Sequence, residues 1–155
     1  MTNPPNDDLN YLSVPSAEIS IDDDIWHNID NLSHIITTAL KVILNIDNEI
    51  SILLTNDTRI QILNRDFRKI DKPTNVLSFP QEDDHYLGDI AISFNTLERE
   101  ALEQGKQFND HFIHMLIHGV LHLKGYDHEN DSEAEKMESF EVKILEDMGI
   151  KNPYI

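Results

Sequence analysis

Eleven residues, His118 to His128, constrain this chain more than any other stretch; they read His-Gly-Val-Leu-His-Leu-Lys-Gly-Tyr-Asp-His. His118 and His122 stand four apart in a run with helical spacing, so their imidazoles leave one face a turn apart and can bind one ion. Gly125 takes a left-handed conformation at little cost, which lets the chain leave the helix and fold His128 back over that ion. The expected metal ligands are therefore His118, His122 and His128. Three protein ligands with no fourth in the motif leave a tetrahedral ion one position for water, the mark of a catalytic rather than a structural site. Two histidines at helical spacing recur by chance; the third, with the turn glycine, makes the pattern specific. The chain has no cysteine, and an all-imidazole set suits a single zinc ion, although nickel, copper or iron can occupy the same donors.

An ion so held lowers the pKa of bound water from 15.7 to about 7 and polarises a carbonyl or phosphoryl oxygen, which makes hydrolysis the natural reaction class. Zinc peptidases with a His-Glu-x-x-His motif place their general base directly after the first histidine. Here that residue is Gly119. Peptide hydrolysis also needs a proton for a poor amine leaving group, whereas phosphodiester cleavage can rely more on positioning and charge neutralisation.

A phosphate needs a cation. Arg59, Arg65, Arg68, Lys69 and Lys72 fall within fourteen positions that hold only two acids, Asp66 and Asp71, while residues 1 to 40 carry seven acids and no base. The net charge of −17 argues by itself against loose nucleic-acid binding, and the basic strip answers part of that objection by offering one place for a polyanion. Arg68, planar and able to donate two parallel hydrogen bonds, is the expected phosphate contact. Arg59, Arg65 and Lys69 are the expected supporting substrate contacts.

Residues 1 to 16 are rich in Asn, Pro, Asp and Ser and read as a mobile tail; residues 17 to 155 read as one metal-dependent hydrolase domain. Period-two alternation marks strands at 17–21, 49–54, 76–79 and 86–94. Helical spacing runs from Ile25 to Leu44, from about Asp57 to Phe67, after Asn95 or Thr96 until Gly105, from about Gln107 through the histidine run, and from Asp131 or Ser132 to Gly149. Strands and helices interleave, giving a small sheet covered by helices, of the α+β or α/β class. The glutamates of the last helix read as a solvated face.

His111, His114, His118 and His122 form one stripe on the fourth helix. His114 and His122 are roughly 12 Å apart along the axis and cannot share an ion. His114 is then an outer, substrate-facing residue or a packing one. Asp127 either hydrogen-bonds the His128 ring or caps its turn. Thr74, Ser78 and Asp89 suit ligand contacts or the sheet equally, and Tyr126 could stack on a base or pack. No apolar run is long enough to span a bilayer, and the start lacks the regions of a signal peptide, so cytoplasm is the expected compartment and no membrane partner is expected.

The His118–His128 segment resembles the signature of the YbeY family. Leu63-Asn64-Arg65-Asp66-Phe67-Arg68 followed by Pro73-Thr74-Asn75-Val76-Leu77-Ser78-Phe79-Pro80, then Leu87-Gly88-Asp89-Ile90, are similar in the same order to that family's other two blocks. The resemblance implies a four-stranded, zincin-like α+β fold and a zinc-dependent endoribonuclease of single-stranded RNA. It further implies action on the 3′ end of small-subunit ribosomal RNA and in ribosome quality control, with Arg68 matching the family's arginine and ribosome-associated proteins as partners. Two rival readings are an assembly factor whose metal is structural, and a metallohydrolase of peptides or small molecules.

Overall fold

The computed structural model describes residues 11–155. Its centre is a five-stranded mixed sheet: β1 (Tyr11–Val14), β2 (Ala17–Ile21), β3 (Glu49–Thr55), β4 (Val76–Pro80) and β5 (Tyr86–Ser93) lie in the order β1-β2-β3-β5-β4. The pairs β2–β3 and β3–β5 are parallel, and β1–β2 and β4–β5 antiparallel. The four expected strands are present. The fifth corrects the tail: Tyr11–Val14 turns through Pro15 and Ser16 to pair with β2, with Leu12 and Val14 packed against the core. Four residues ending at a proline are too short to stand out as a period. Residues 1 to 10 of the expected tail lie outside the described residues.

Five α-helices follow: α1 (Leu32–Ile43), α2 (Asp57–Arg68), α3 (Phe94–Gln104), α4 (Phe108–Leu123) and α5 (Asp131–Asp147). The helix expected from Ile25 is in fact two pieces, because Asp24–Asn28 is a 3₁₀ turn and Asn31 is left-handed before α1 starts. Trp26 explains the break. It is fully buried and donates its indole N–H to the Thr55 carbonyl at 2.9 Å, among Phe94, Phe108 and Phe112, so the chain must turn twice to seat it.

Alternation then sorts the sheet into two faces. Ile19, Ile21, Ile50, Ile52, Leu54, Ile90 and Ile92 form one, buried in the main core with α1 and α4. Leu53, Leu77, Phe79 and Ala91 form the other, packed against Ile60 and Leu63 of α2. Each aliphatic side chain fully buried in such a core contributes about 1.5–3 kcal/mol, so the first face carries most of the apolar stabilisation. Among the described residues no helix is long and apolar enough to cross a membrane.

Candidate metal centre and cleft

Helix α4 runs beneath β4 and β5 at a distance set by one residue. A Cβ on Gly119 would stand 3.2 Å from Val76 and 3.3 Å from Ile90, so position 119 faces the sheet and its lack of a side chain permits the approach. The Ser78 hydroxyl donates to the Gly119 carbonyl at 3.1 Å and ties β4 to the helix. His118 and His122 are thereby presented at the edge of β4, in a cleft of about 590 Å³ lined also by Arg68, Thr74, Asp127 and His128.

The helix ends as expected at Gly125, whose φ is +98°. The Gly125 N–H donates to His122 O and the Tyr126 N–H to Leu121 O, the paired bonds of a Schellman ending. His128 is carried back so that its ring lies 5.8 Å from that of His118 and 5.1 Å from that of His122. One ligand nitrogen from each of the three lies within 4.8 Å of the others.

The tautomers fit an ion. Glu141, fully buried, accepts from His118 Nδ1 at 2.5 Å, and the Tyr126 carbonyl accepts from His122 Nδ1 at 3.0 Å. With both Nδ1 atoms donating, the Nε2 lone pairs of neutral rings point into the cleft, only 3.1 Å apart. Two bare lone pairs at that distance repel unless a cation lies between them, and imidazoles on a tetrahedral ion at ~2.0–2.1 Å bring their nitrogens about this close. Burial, then the neighbouring His118 and His128, lowers the His122 pKa against the opposing Tyr126 hydrogen bond and Asp127, which keeps this ring neutral near pH 7.

Glu141 was not foreseen. Burial pushes its carboxyl up, but hydrogen bonds from His114, His118 and Tyr154 outweigh this and hold its pKa at about 2. It is an ionised buried acceptor shared by three donors: His118 on one oxygen, and His114 (2.9 Å) and the Tyr154 hydroxyl on the other. The solvated-face reading of the α5 glutamates therefore fails at this residue. A signal existed, since Glu141 falls in step with Met137, Ile144, Leu145 and Met148 on the buried stripe of α5.

His114 is also placed differently from a substrate contact: it is buried behind His118 against Glu141, outside the cleft. Asp127 accepts the backbone N–H of its neighbour His128 at 2.7 Å and so caps the turn instead of holding the ring. Of the basic strip only Arg68 lines the cleft. Arg59 lies two turns back on α2, Arg65 pairs with Asp66 at 3.2 Å, and the Lys69 ammonium reaches the Asp66 carbonyl at 3.4 Å, all exposed. Among the described residues the Arg68 guanidinium has no ion-pair partner, unlike those of Arg65 and Arg99. Thr74 and Ser78 reach the cleft, whereas Asp89 lies on the other face and accepts from the Tyr86 hydroxyl. Tyr126 sits at the cleft wall and packs edge-on against Phe140 at 5.1 Å.

A mixed sheet backed by a histidine-bearing helix, with three imidazole nitrogens converging beside an edge strand, defines an α+β domain of the zincin-like class whose histidine cluster could hold a metal. Within that class the chain belongs to the YbeY family, whose model, described as Endoribonuclease YbeY, matches residues 14–149. It is 43% identical over 157 residues to an Endoribonuclease YbeY of a Bradyrhizobium species, covering 91% of this chain and 93% of the relative. It is 44% identical over 150 residues to the Endoribonuclease YbeY of Bartonella bacilliformis, covering 92% and 94%. The solution structure of TM1509 from Thermotoga maritima is similar at a TM-score of 0.55 and 28% identity, covering 84% of this chain and 91% of that one.

Proposed function

We propose that this protein is a zinc-dependent endoribonuclease that cuts single-stranded RNA, acting on the 3′ end of small-subunit ribosomal RNA and in ribosome quality control in the cytoplasm. One observation carries the reading: the Arg68 guanidinium, with no ion-pair partner among the described residues, faces the same cleft as the bare nitrogens of His118, His122 and His128. When bound there, a zinc ion supplies Lewis acidity and an activated water. Arg68 binds and orients the scissile phosphate and offsets its developing charge. Glu141 and the Tyr126 carbonyl hold His118 and His122 in the ligating tautomers. Arg59, Arg65 and Lys69 steer the polyanion toward the cleft across an otherwise acidic surface.

The relatives' shared name, Endoribonuclease YbeY, supports RNA as the substrate, and ribosome-associated partners follow from the family resemblance. Glycine at position 119, packed against Val76 and Ile90, counts against peptidase chemistry, because that position supplies the general base in His-Glu-x-x-His peptidases. The test incubates metal-analysed protein with single-stranded and duplex RNA, wild type beside Arg68→Glu and His118→Ala. Wild type cuts the single strand, and both variants lose cutting while remaining folded. Intact RNA with zinc-loaded wild type would overturn the reading, and a His118→Ala protein that fails to fold would favour a structural metal.

A further inference from the structure

The open face of the sheet carries a second depression, of about 530 Å³, between α2 and the strands. Leu53, Leu63, Phe67, Phe79 and Ala91 line it. Phe67 is 67% exposed, and its ring stands edge-on to Phe79 at 5.3 Å. Leaving such a ring in water forgoes most of the stabilisation its burial would give, so the pair reads as a surface kept for something that covers it.

Strand β4 separates this groove from the cleft. Val76, Ser78 and Pro80 face the cleft, while Phe79 faces the groove; β4 is also the edge of the sheet. At the end of α2 the consecutive residues Phe67 and Arg68 divide the same way, ring to the groove and guanidinium to the cleft. A chain contacting Arg68 has only to cross one strand edge to reach the rings. Arg68, next in sequence to Phe67, is the cation that adjoins this aromatic end, in a protein of net charge −17. The groove wall carries one carboxylate, Asp89, which accepts from the Tyr86 hydroxyl.

An exposed ring, Phe67, set against half-buried Phe79 and next to Arg68, matches a single-stranded nucleic acid, whose bases offer apolar faces and whose backbone is anionic. We propose that this groove is a base-stacking subsite for single-stranded RNA, where Phe67 and Phe79 receive a base near the phosphate that Arg68 contacts. The proposal rests on the RNA reading above. It also supplies a reason for strand selectivity, since a duplex hides its base faces.

The test titrates metal-loaded, full-length protein into a fluorescent 2′-O-methyl single-stranded oligonucleotide at fixed salt, with a gel to verify that the probe stays intact. Phe67→Ala weakens binding by about five- to a hundredfold with an unchanged melting temperature, Phe67→Trp binds as wild type does, and a duplex probe is insensitive to both. Equal binding by Phe67→Ala and wild type overturns the subsite. So does a Phe67→Ala change that converts a dimer to a monomer in sedimentation while leaving RNA affinity alone. If wild type itself neither binds nor cuts the single strand, the RNA reading fails as well; if it does both and Phe67→Ala is indistinguishable, only the groove assignment fails.

Discussion

The two halves of helix α4 each carry a pair of histidines, three apart in the first and four apart in the second, and put them to opposite uses. In the first half, His111 and His114 are buried and spend Nε2 on carboxylates, Glu100 and Glu141, each at 2.9 Å; their Nδ1 atoms have no partner. In the second half, His118 and His122 spend Nδ1 on Glu141 and on a backbone carbonyl, and turn Nε2 toward solvent. The difference teaches that a histidine becomes a ligand by which nitrogen its surroundings leave bare, not by its place in a stripe. Glu141 serves both halves, one oxygen for each.

Substitutions along the helix can break this contrast. The largest effect is expected from His118→Ala, which should lower zinc affinity by more than the roughly 10–100-fold typical of an outer partner and abolish zinc stoichiometry on elemental analysis, with the circular dichroism spectrum retained. Glu141→Gln should follow, weakening zinc by about 10–100-fold in a chelator competition, because an amide can donate as well as accept and no longer enforces the His118 tautomer. His114→Ala should leave zinc affinity nearly intact and cost about 1–3 kcal/mol in urea unfolding, through a buried carboxylate with one donor fewer. If it strips the metal as completely as His118→Ala, the division of the helix is wrong.

The smallest effect sharpens the contrast by pH. Burial pushes the Glu100 carboxyl up, but hydrogen bonds from His111 and Asn75 and the charges of His111 and Arg99 bring it below its ordinary value. A folded pKa below the unfolded one, near 4.3, adds stability that is present above that pH and lost as pH falls through the folded value. Glu100→Gln should therefore flatten the acid limb of stability against pH, read from urea midpoints between about pH 5 and pH 3, and leave zinc binding at pH 7 unchanged.

Local patterns made much of this legible. The convergence of His118, His122 and His128 followed from a four-residue step and a turn glycine, and four strands followed from alternation, because each signal lies within a few consecutive residues. Arg68 could be singled out as a bidentate cation, but its separation from Arg59, Arg65 and Lys69 could not, since which basic residue reaches the cleft depends on where α2 ends against the edge of β4. Glu141 and Tyr154 meet His114 and His118 from 23 to 40 positions away, and no local period reports such a meeting. The 3₁₀ break at Trp26 likewise depends on a carbonyl 29 residues distant.

The absence of a side chain at Gly119 lets helix and sheet touch backbone to side chain, pinned by the Ser78 hydroxyl. The floor that carries the histidines and the wall that faces them consequently belong to a single stiff unit, close-packed as interiors are. The spacing between the histidines and the edge of β4 is thereby preset, so matching it falls on the incoming polymer: a supple strand can bend to meet it, and a stiff one must be loosened beforehand.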